Sequence, residues 1–126
     1  MIKLVATDMD GTLLNDAQQV SESNIKTLKG LETNGIIRVV ATGRSYYSFR
    51  QLVSPDFPID YLVFSTGAGI MNWKTKDLIY SRYLEAEKVK VIARIFFNQR
   101  VDFMIHHIIP DNHYFDYCQF GYPNPD

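Results

Sequence analysis

The sequence predicts an α/β fold: a Rossmann-like parallel sheet with its helices, followed by a second unit. Three observations support this prediction. Short apolar segments rich in β-branched residues alternate with amphipathic helical segments, which is typical of parallel strands joined by right-handed crossovers. Polar residues and glycines directly follow the strand segments, where open α/β sheets bind ligands. The alternation then changes near residue 80, which indicates a second unit.

The first half of the chain supplies three core strands and two helices. The strand segments are 2–7, 36–41 and 61–65, and the helical segments are 21–34 and 45–53. Ser21 is a residue type that caps helix N-termini, and Asn34 with Gly35 is a typical helix stop. The segment "SPDFP" ends the second helix because proline cannot continue it. The order strand, helix, strand, helix, strand therefore predicts a parallel unit.

The second half of the chain no longer fits that unit. The segments "GIMNW" and "DLIYSRY" flank the polar turn "KTKD" and indicate a hairpin, followed by a helix over 85–99 and a strand with alternating apolar residues from Val101. We therefore predict one unit over 1–80 and a second unit over 81–126. Trp73 is expected in the core, whereas Lys74 and Lys76 are expected in a solvated turn.

Composition excludes several classes of protein. The 126 residues allow one domain, or one domain and part of another, and 46% are apolar while 21% are charged, which is a globular composition. The net charge of −1 gives no reason to expect nucleic acid or a membrane surface as a partner. The single cysteine, Cys118, excludes an internal disulfide. A soluble, cytoplasmic protein is expected, and its oligomeric state is left open.

Two carboxylates lie where the first strand ends. In "LVATDMDGTLL", Asp8 and Asp10 follow the apolar run, and Thr42, Gly43 and Arg44 follow the second strand in the same way. An Asp-Gly pair also occurs in ordinary hairpin turns, which is the alternative interpretation. Because parallel strands end at the same edge of a sheet, we expect these two groups of residues to converge there.

This set of residues suits phosphoryl transfer. A carboxylate can attack phosphorus, and a second carboxyl group can protonate the leaving oxygen and later accept a proton from water. Gly11 allows a tight turn whose amides face a phosphate, and Thr42 can donate its hydroxyl. Two carboxylates repel a phosphate dianion, so a divalent cation is needed, and Mg²⁺ fits because it prefers oxygen ligands.

The segments "DMDGTLL" and "VVATGR" resemble the haloacid dehalogenase-like hydrolases, specifically the Cof-type phosphatases. The resemblance covers residues 1 to about 83 and continues loosely beyond. It implies that 1–80 is the N-terminal part of the Rossmann-like hydrolase core and that 81–126 is a partial α/β cap domain. It implies that Asp8 is the nucleophile and a metal ligand, and that Asp10 is the acid/base and binds the metal through its backbone carbonyl. It also implies a Mg²⁺-dependent phosphatase of small phosphorylated metabolites, with sugar phosphates expected. The residues that would hold the transferring phosphoryl group are Gly11, Thr42 and Gly43.

Arg44 is less uniform in that family, so a contact with substrate and a structural ion pair both stay open. Relatives usually carry Asn-Gly-Ala after the third strand, whereas this chain has Thr66 in place of the asparagine. The later lysine or arginine and the later acidic pair of the family do not occur here, so we expect a fragment of a longer polypeptide. A phosphomutase and a non-catalytic phosphate-binding module are the alternative functions.

Three histidines and the cysteine cluster late in the chain, at His106, His107, His113 and Cys118. Their spacing lacks the paired short intervals of structural zinc motifs. A cap strand and loop that face the substrate explain some of them better than a metal site does.

Overall fold

The computed structural model describes residues 1–121 and contains a five-stranded mixed sheet and a two-stranded sheet. The strands of the first sheet are β1 Leu4–Asp8, β2 Ile37–Ala41, β3 Tyr61–Phe64, β4 Gly69–Asn72 and β5 Leu78–Ser81, and those of the second are β6 Phe103–His106 and β7 Phe115–Cys118. The helices are α1 Glu22–Thr33, α2 Tyr46–Arg50 and α3 Ala86–Asn98, and a helical turn spans Met9–Leu13. This architecture confirms the predicted α/β class. The last five residues of the predicted cap, 122–126, lie outside the described part.

The first three strands are parallel, as predicted. Strand β1 pairs with β2 so that Asp8 lies opposite Ala41, and β2 pairs with β3 so that Ala41 lies opposite Val63. The carboxyl ends of the three strands therefore meet at one edge of the sheet. This register fixes where the candidate site lies.

The predicted hairpin is not a separate unit, because its two strands extend the sheet of the parallel strands. Strand β4 runs antiparallel to β3, with Gly69 opposite Phe64, and β5 pairs with β4. The cause is the short connection 65–68, since a parallel crossover needs a dozen residues or more. A Cβ atom at position 69 would overlap the Phe64 ring, so only glycine fits this register. The core sheet consequently has five strands rather than the three expected.

Two helix boundaries follow the predicted capping residues. The Ser21 Oγ accepts a hydrogen bond from the Asn24 amide at 3.1 Å, and Gly35 after α1 has a φ of 67°. Helix α2 is shorter than the predicted 45–53 because the Leu52 amide bonds to the Phe49 carbonyl, three residues back, which closes the helix as a tight turn. Strand β6 begins at Phe103, two residues later than expected.

The hydrophobic core lies between the five-stranded sheet and helices α1 and α2. Trp73 is buried as predicted and meets Phe49 edge-on, with ring centroids 5.2 Å apart. The other large side chains in this core are Met9, Leu13, Leu14, Leu28, Val40, Phe57, Ile59, Leu62, Phe64 and Met71. This packing holds the loops at the carboxyl edge against a rigid layer.

An ion network around the buried Arg38 joins α1, β2 and the start of β3. Arg38 is 1% exposed, and its Nε and Nη2 donate to the two carboxylate oxygens of Asp60 at 3.0 and 2.9 Å. Its Nη1 donates to Glu32 at 2.9 Å. Lys74 binds the same two carboxylates, at 2.9 Å to Glu32 and 3.2 Å to Asp60. Lys74 is exposed, as expected for the turn, and it also belongs to this ion network.

Helix α3 packs loosely within the described residues. None of its residues is buried, although the ring centroids of Phe96 and of Phe103 in β6 lie 5.9 Å apart.

Within residues 1–121 no helix has the length and apolar character required to cross a membrane.

Candidate functional site

Asp8 is the last residue of β1, and the turn after it brings Asp10 back to the same edge. The Asp8 Oδ1 accepts a hydrogen bond from the Met9 amide at 2.7 Å. The turn closes with the Leu14 amide on the Met9 carbonyl at 3.0 Å. Gly11 has a φ of 70°, which favours glycine at this position. The carboxylate of Asp8 is thus held at the strand end with its second oxygen free of hydrogen bonds within residues 1–121.

Asp10 is bound by Arg44, the residue whose role the sequence left open. The Nε of Arg44 lies 2.9 Å from the Asp10 Oδ2, and its Nη2 lies 2.6 Å from the Oδ1. These hydrogen bonds and the positive charge lower the pKa of Asp10, and they raise the pKa of Arg44. Arg44 therefore forms an ion pair that keeps Asp10 ionised.

Two further side chains hold Arg44 in this orientation. Ser48 accepts a hydrogen bond from its Nη1 at 3.1 Å, and Gln18 accepts one from its Nη2 at 3.0 Å. Sequence reasoning missed both, since nothing in the local pattern marks either as part of a site. The guanidinium is anchored on three sides, which makes the Asp10–Arg44 pair a defined arrangement.

The loops after β2 and β3 are joined to each other. Thr42 is 6% exposed, its hydroxyl oxygen accepts a hydrogen bond from the Arg44 amide at 3.1 Å, and its carbonyl accepts one from the Thr66 amide at 3.2 Å. A Cβ at Gly43 would lie 3.7 Å from the Thr66 Oγ1. The structure therefore brings Thr66 beside Thr42 and Gly43, at the same edge as Asp8.

A cavity of about 680 Å³ lies between these loops and the β6–β7 region. Gly43 and Thr66 line it from the core side, and His106 and His113 line it from the other side. His107 does not line it, and its amide instead donates to the Tyr114 carbonyl at 3.0 Å. Two of the three histidines thus face the cavity beside the candidate site.

Two contacts beside this cavity join the core to the segment between β6 and β7. The Asn112 Nδ2 donates to the Ser65 Oγ at 2.8 Å, and the His113 ring stacks on Tyr47 with centroids 4.4 Å apart and 9° between planes. The Asn112 Oδ1 and the His113 Nδ1 are buried without a partner among residues 1–121. Sequence reasoning missed Asn112, because it is 47 residues from its partner and belongs to no recognisable motif.

The late histidines and cysteine do not form a metal-binding cluster in the described residues. Throughout residues 1–121, no three or more His, Cys, Asp or Glu side chains are grouped so as to hold a metal ion. His106 instead pairs its Nδ1 with the Asn112 carbonyl at 2.8 Å.

Comparison with known proteins assigns the family. Residues 5–118 match the profile described as haloacid dehalogenase-like hydrolase. The chain therefore belongs to the haloacid dehalogenase-like hydrolases, which confirms the resemblance found in the sequence. Among solved structures, the phosphatase BT1666 from Bacteroides thetaiotaomicron superimposes with a TM-score of 0.78 at 25% identity over 99% of this chain and 43% of that one. The subclass IIB sugar phosphatase BT4131 superimposes with a TM-score of 0.66 at 25% identity, over 97% of this chain and 45% of that one.

The curated relatives are named phosphatases. The 5-amino-6-(5-phospho-D-ribitylamino)uracil phosphatase YcsE of Bacillus subtilis is 34% identical over 72% of this chain and 36% of its own length. The HMP-PP phosphatase of Yersinia enterocolitica is 32% identical over 75% of this chain and 34% of its own length. The chain thus spans about a third of the length of these relatives.

Proposed function

We propose that the chain carries the nucleophile-bearing part of a Mg²⁺-dependent phosphatase that hydrolyses small phosphorylated metabolites. The observation that carries this proposal is the convergence at one sheet edge of Asp8, Asp10 and the loop from Thr42 to Arg44. The named activity of the curated relatives supports it. A receiver-like phosphoacceptor would not need the second carboxylate.

The two carboxylates have separate roles. In the first step an oxygen of Asp8 forms a bond to phosphorus as the bond to the leaving oxygen breaks, and Asp10 gives that oxygen its proton. In the second step Asp10 takes a proton from water, which attacks the phosphorus and releases Asp8 and inorganic phosphate. Each step moves one proton through Asp10, so that residue must change its protonation state twice.

Arg44 opposes the protonated form of Asp10 that the first step needs. Its hydrogen bonds and positive charge lower the pKa of Asp10, which favours the carboxylate. The ion pair therefore opens when substrate binds, and Arg44 turns to the incoming phosphate, which is the stronger dianionic partner. Arg44 then has both of the roles that the sequence left open, first the ion pair with Asp10 and afterwards the contact with substrate.

The backbone amides around Gly11 and Gly43 and the hydroxyl of Thr42 hold the transferring phosphoryl group. The Thr42 Oγ1 already accepts a hydrogen bond from the Arg44 amide. The proton of the Thr42 hydroxyl is therefore free to be donated to the substrate. Thr66 lies beside this cradle and adds a hydroxyl where relatives usually carry an amide. Donors fixed in advance stabilise the charge that develops in the transition state.

The donors at this edge fit Mg²⁺. One oxygen of Asp8 is free, and the backbone carbonyl of Asp10 would add a second oxygen, while water and phosphate oxygens would complete the shell that Mg²⁺ prefers. Asp8 and Asp10 would hold the ion. When bound, it neutralises the repulsion between the carboxylates and the phosphate dianion.

The cap, which we place over 81–126 after a core over 1–80, sets which substrates enter. Aromatic rings of Tyr47 and His113 and the amide of Asn112 border the cavity beside the cradle. Sugar phosphates are the expected class, as for the sugar phosphatase BT4131. Ribityl phosphates that carry a pyrimidine are the second candidate, because aromatic walls favour a planar ring and YcsE acts on such a compound.

The test is phosphate release by the full reading frame against a panel of both substrate classes, with Mg²⁺, with Ca²⁺ and with chelator. We expect activity with Mg²⁺, little with Ca²⁺, whose looser geometry misplaces the reacting groups, and none with chelator. Asp8→Asn should abolish turnover, and Asp16→Asn, an exposed carboxylate in the next turn, should leave it unchanged. Full activity in excess chelator, or in Asp8→Asn, would overturn the proposal.

A further inference from the structure

A second cavity, of about 370 Å³, lies at the end of the core sheet opposite the Asp8 edge. It is formed between the end of α2 and the connection from β4 to β5. The amide of Trp73, which lines it, donates to the carbonyl of Asp60 at 2.9 Å, and Asp60 directly precedes β3. The cavity therefore lies near the amino ends of the parallel strands, remote from the carboxyl edge that holds the candidate active site.

Two cations line this cavity, each over an aromatic ring. The Arg50 guanidinium carbon lies 5.0 Å from the Tyr46 ring centroid, and the Lys76 Nζ lies 3.2 Å from that of Trp73. The Lys76 Nζ also donates to the Pro55 carbonyl at 3.0 Å. No lining residue carries a carboxylate, and neither cation forms an ion pair within residues 1–121. The cavity is therefore a positively charged one.

The lysine two residues earlier in the same turn shows the contrast. Lys74 binds the carboxylates of Glu32 and Asp60, whereas Lys76 binds neither and lines the cavity together with Arg50. The pKa of Lys76 is lowered, first by burial and second by the positive charge of Arg50. Two like charges thus line the same cavity, and no carboxylate lines it with them.

The position of Lys76 is fixed by its backbone. Its φ of 63° lies in the left-handed region, which a residue with a side chain adopts rarely, and its amide donates to the Asn72 carbonyl at 2.8 Å. Trp73 is 2% exposed and Lys76 covers its ring face, so the donors that the cavity offers belong to the two cations. The site thus combines two cations with no anionic acceptor among the residues that line it.

The geometry points to a second binding site, for a small phosphate-bearing anion, between Arg50 and Lys76. Two positive charges match a dianion, and the guanidinium fork fits the oxygens of phosphate. The bound anion removes the repulsion between the two cations. This inference is independent of the phosphatase activity, because it uses no residue of the Asp8 edge.

Trp73 is the one tryptophan of the 126 residues, so it reports on this cavity directly. The experiment titrates the 126-residue chain with inorganic phosphate in chelator, at constant ionic strength, and follows tryptophan fluorescence and the indole N–H resonance. Chelator suppresses phosphate binding at the Asp8 edge, which requires the cation. We expect a saturable change with phosphate and sulfate, and none with acetate, which carries a single charge.

Variants of the two cations test whether the response to phosphate arises in this cavity. Arg50→Gln and Lys76→Asn should each weaken phosphate binding about tenfold or more, since each removes a charged hydrogen-bond donor. Asparagine suits the left-handed backbone at position 76, so this variant keeps the turn. The charge-matched control is Lys26→Gln, exposed on α1, which should bind phosphate as the parent does. An indole resonance that does not move with phosphate, that moves equally with acetate, or that responds unchanged in both cavity variants would overturn the inference.

Discussion

The ion pair between Asp10 and Arg44 sets the protonation state of the proposed acid. A free aspartate already has a pKa too low to be protonated at neutral pH, and Arg44 lowers it further. Both side chains are partly exposed, at 47% for Asp10 and 25% for Arg44, so the pair can open without disturbing the core. The chemistry at this residue therefore depends on substrate binding as much as on the resting geometry.

The first prediction concerns Arg44→Gln. Without the guanidinium the pKa of Asp10 rises toward its ordinary value, so the protonated acid persists to higher pH. The alkaline limb of kcat/KM for a sugar phosphate should move upward in pH, whatever happens to the absolute rate. Arg94→Gln, exposed on α3, is the matched control and should keep the parent profile. A lower rate with an unshifted profile would mean that Arg44 acts only on the substrate.

The second prediction concerns Asp10→Asn and the leaving group. Proton donation by a general acid contributes about 10²- to 10⁴-fold, and most where the leaving oxygen is strongly basic. Phosphoenzyme formation should therefore fall steeply with a sugar phosphate and much less with p-nitrophenyl phosphate, whose leaving group needs little protonation. Rapid-quench measurement of the first turnover separates this step from hydrolysis. Equal losses with both substrates would remove Asp10 from the acid role.

Among the elements, the ion network at Arg38 joins α1 to β2 and β3. Both carboxylates that bind Arg38 have a pKa lowered to about 2, chiefly through their hydrogen bonds to its guanidinium. The ordinary values are 4.5 for Glu32 and 3.8 for Asp60. Because folding lowers the pKa of both carboxyl groups, the stability that they contribute is complete above about pH 4.5. It is lost as the pH falls toward about 2 and the two groups become protonated.

The third prediction tests this network with Asp60→Asn. The amide keeps the shape but leaves the buried Arg38 with weaker partners, so the free energy of unfolding in urea at pH 7 should fall by about 2 kcal/mol. Its stability should also depend less on pH between about 4 and 2 than that of the parent. Lys74→Gln is the control at the exposed end of the network and should cost less than about 1 kcal/mol. An Asp60 variant as stable as the parent at pH 7 would show that the network adds nothing to stability.

For the molecule as a whole, the parts predicted well were those specified by local sequence. Ser21 caps α1 through a bond within its own turn, and Asp8 closes β1 because the apolar run ends there. The hairpin was also found, yet its addition to the core sheet was not, because strand order depends on how a four-residue connection folds back. A local sequence pattern identifies a strand or a helix more readily than it identifies the strand beside which that element lies in the sheet.

The parts that sequence could not predict depend on distant pairs. Arg44 binds Asp10 across 34 residues, and Asn112 binds Ser65 across 47. Lys76 was expected in solvent, and it lies instead on the face of Trp73 because a left-handed turn directs it there. Such contacts arise only once the chain is folded, so no periodicity in the sequence encodes them.

The most direct measurement of the central claim is to trap the phosphorylated enzyme and locate its phosphate. The full reading frame is mixed with substrate and Mg²⁺, quenched in acid and reduced with borohydride, which converts an aspartyl phosphate to homoserine, and the peptide that contains residues 8 and 10 is sequenced by mass spectrometry. We predict homoserine at position 8 only when substrate and Mg²⁺ are both present, with aspartate intact at position 10, and no product in Asp8→Asn. Rapid turnover that leaves Asp8 unreduced, or reduction at Asp10 instead, would contradict the account.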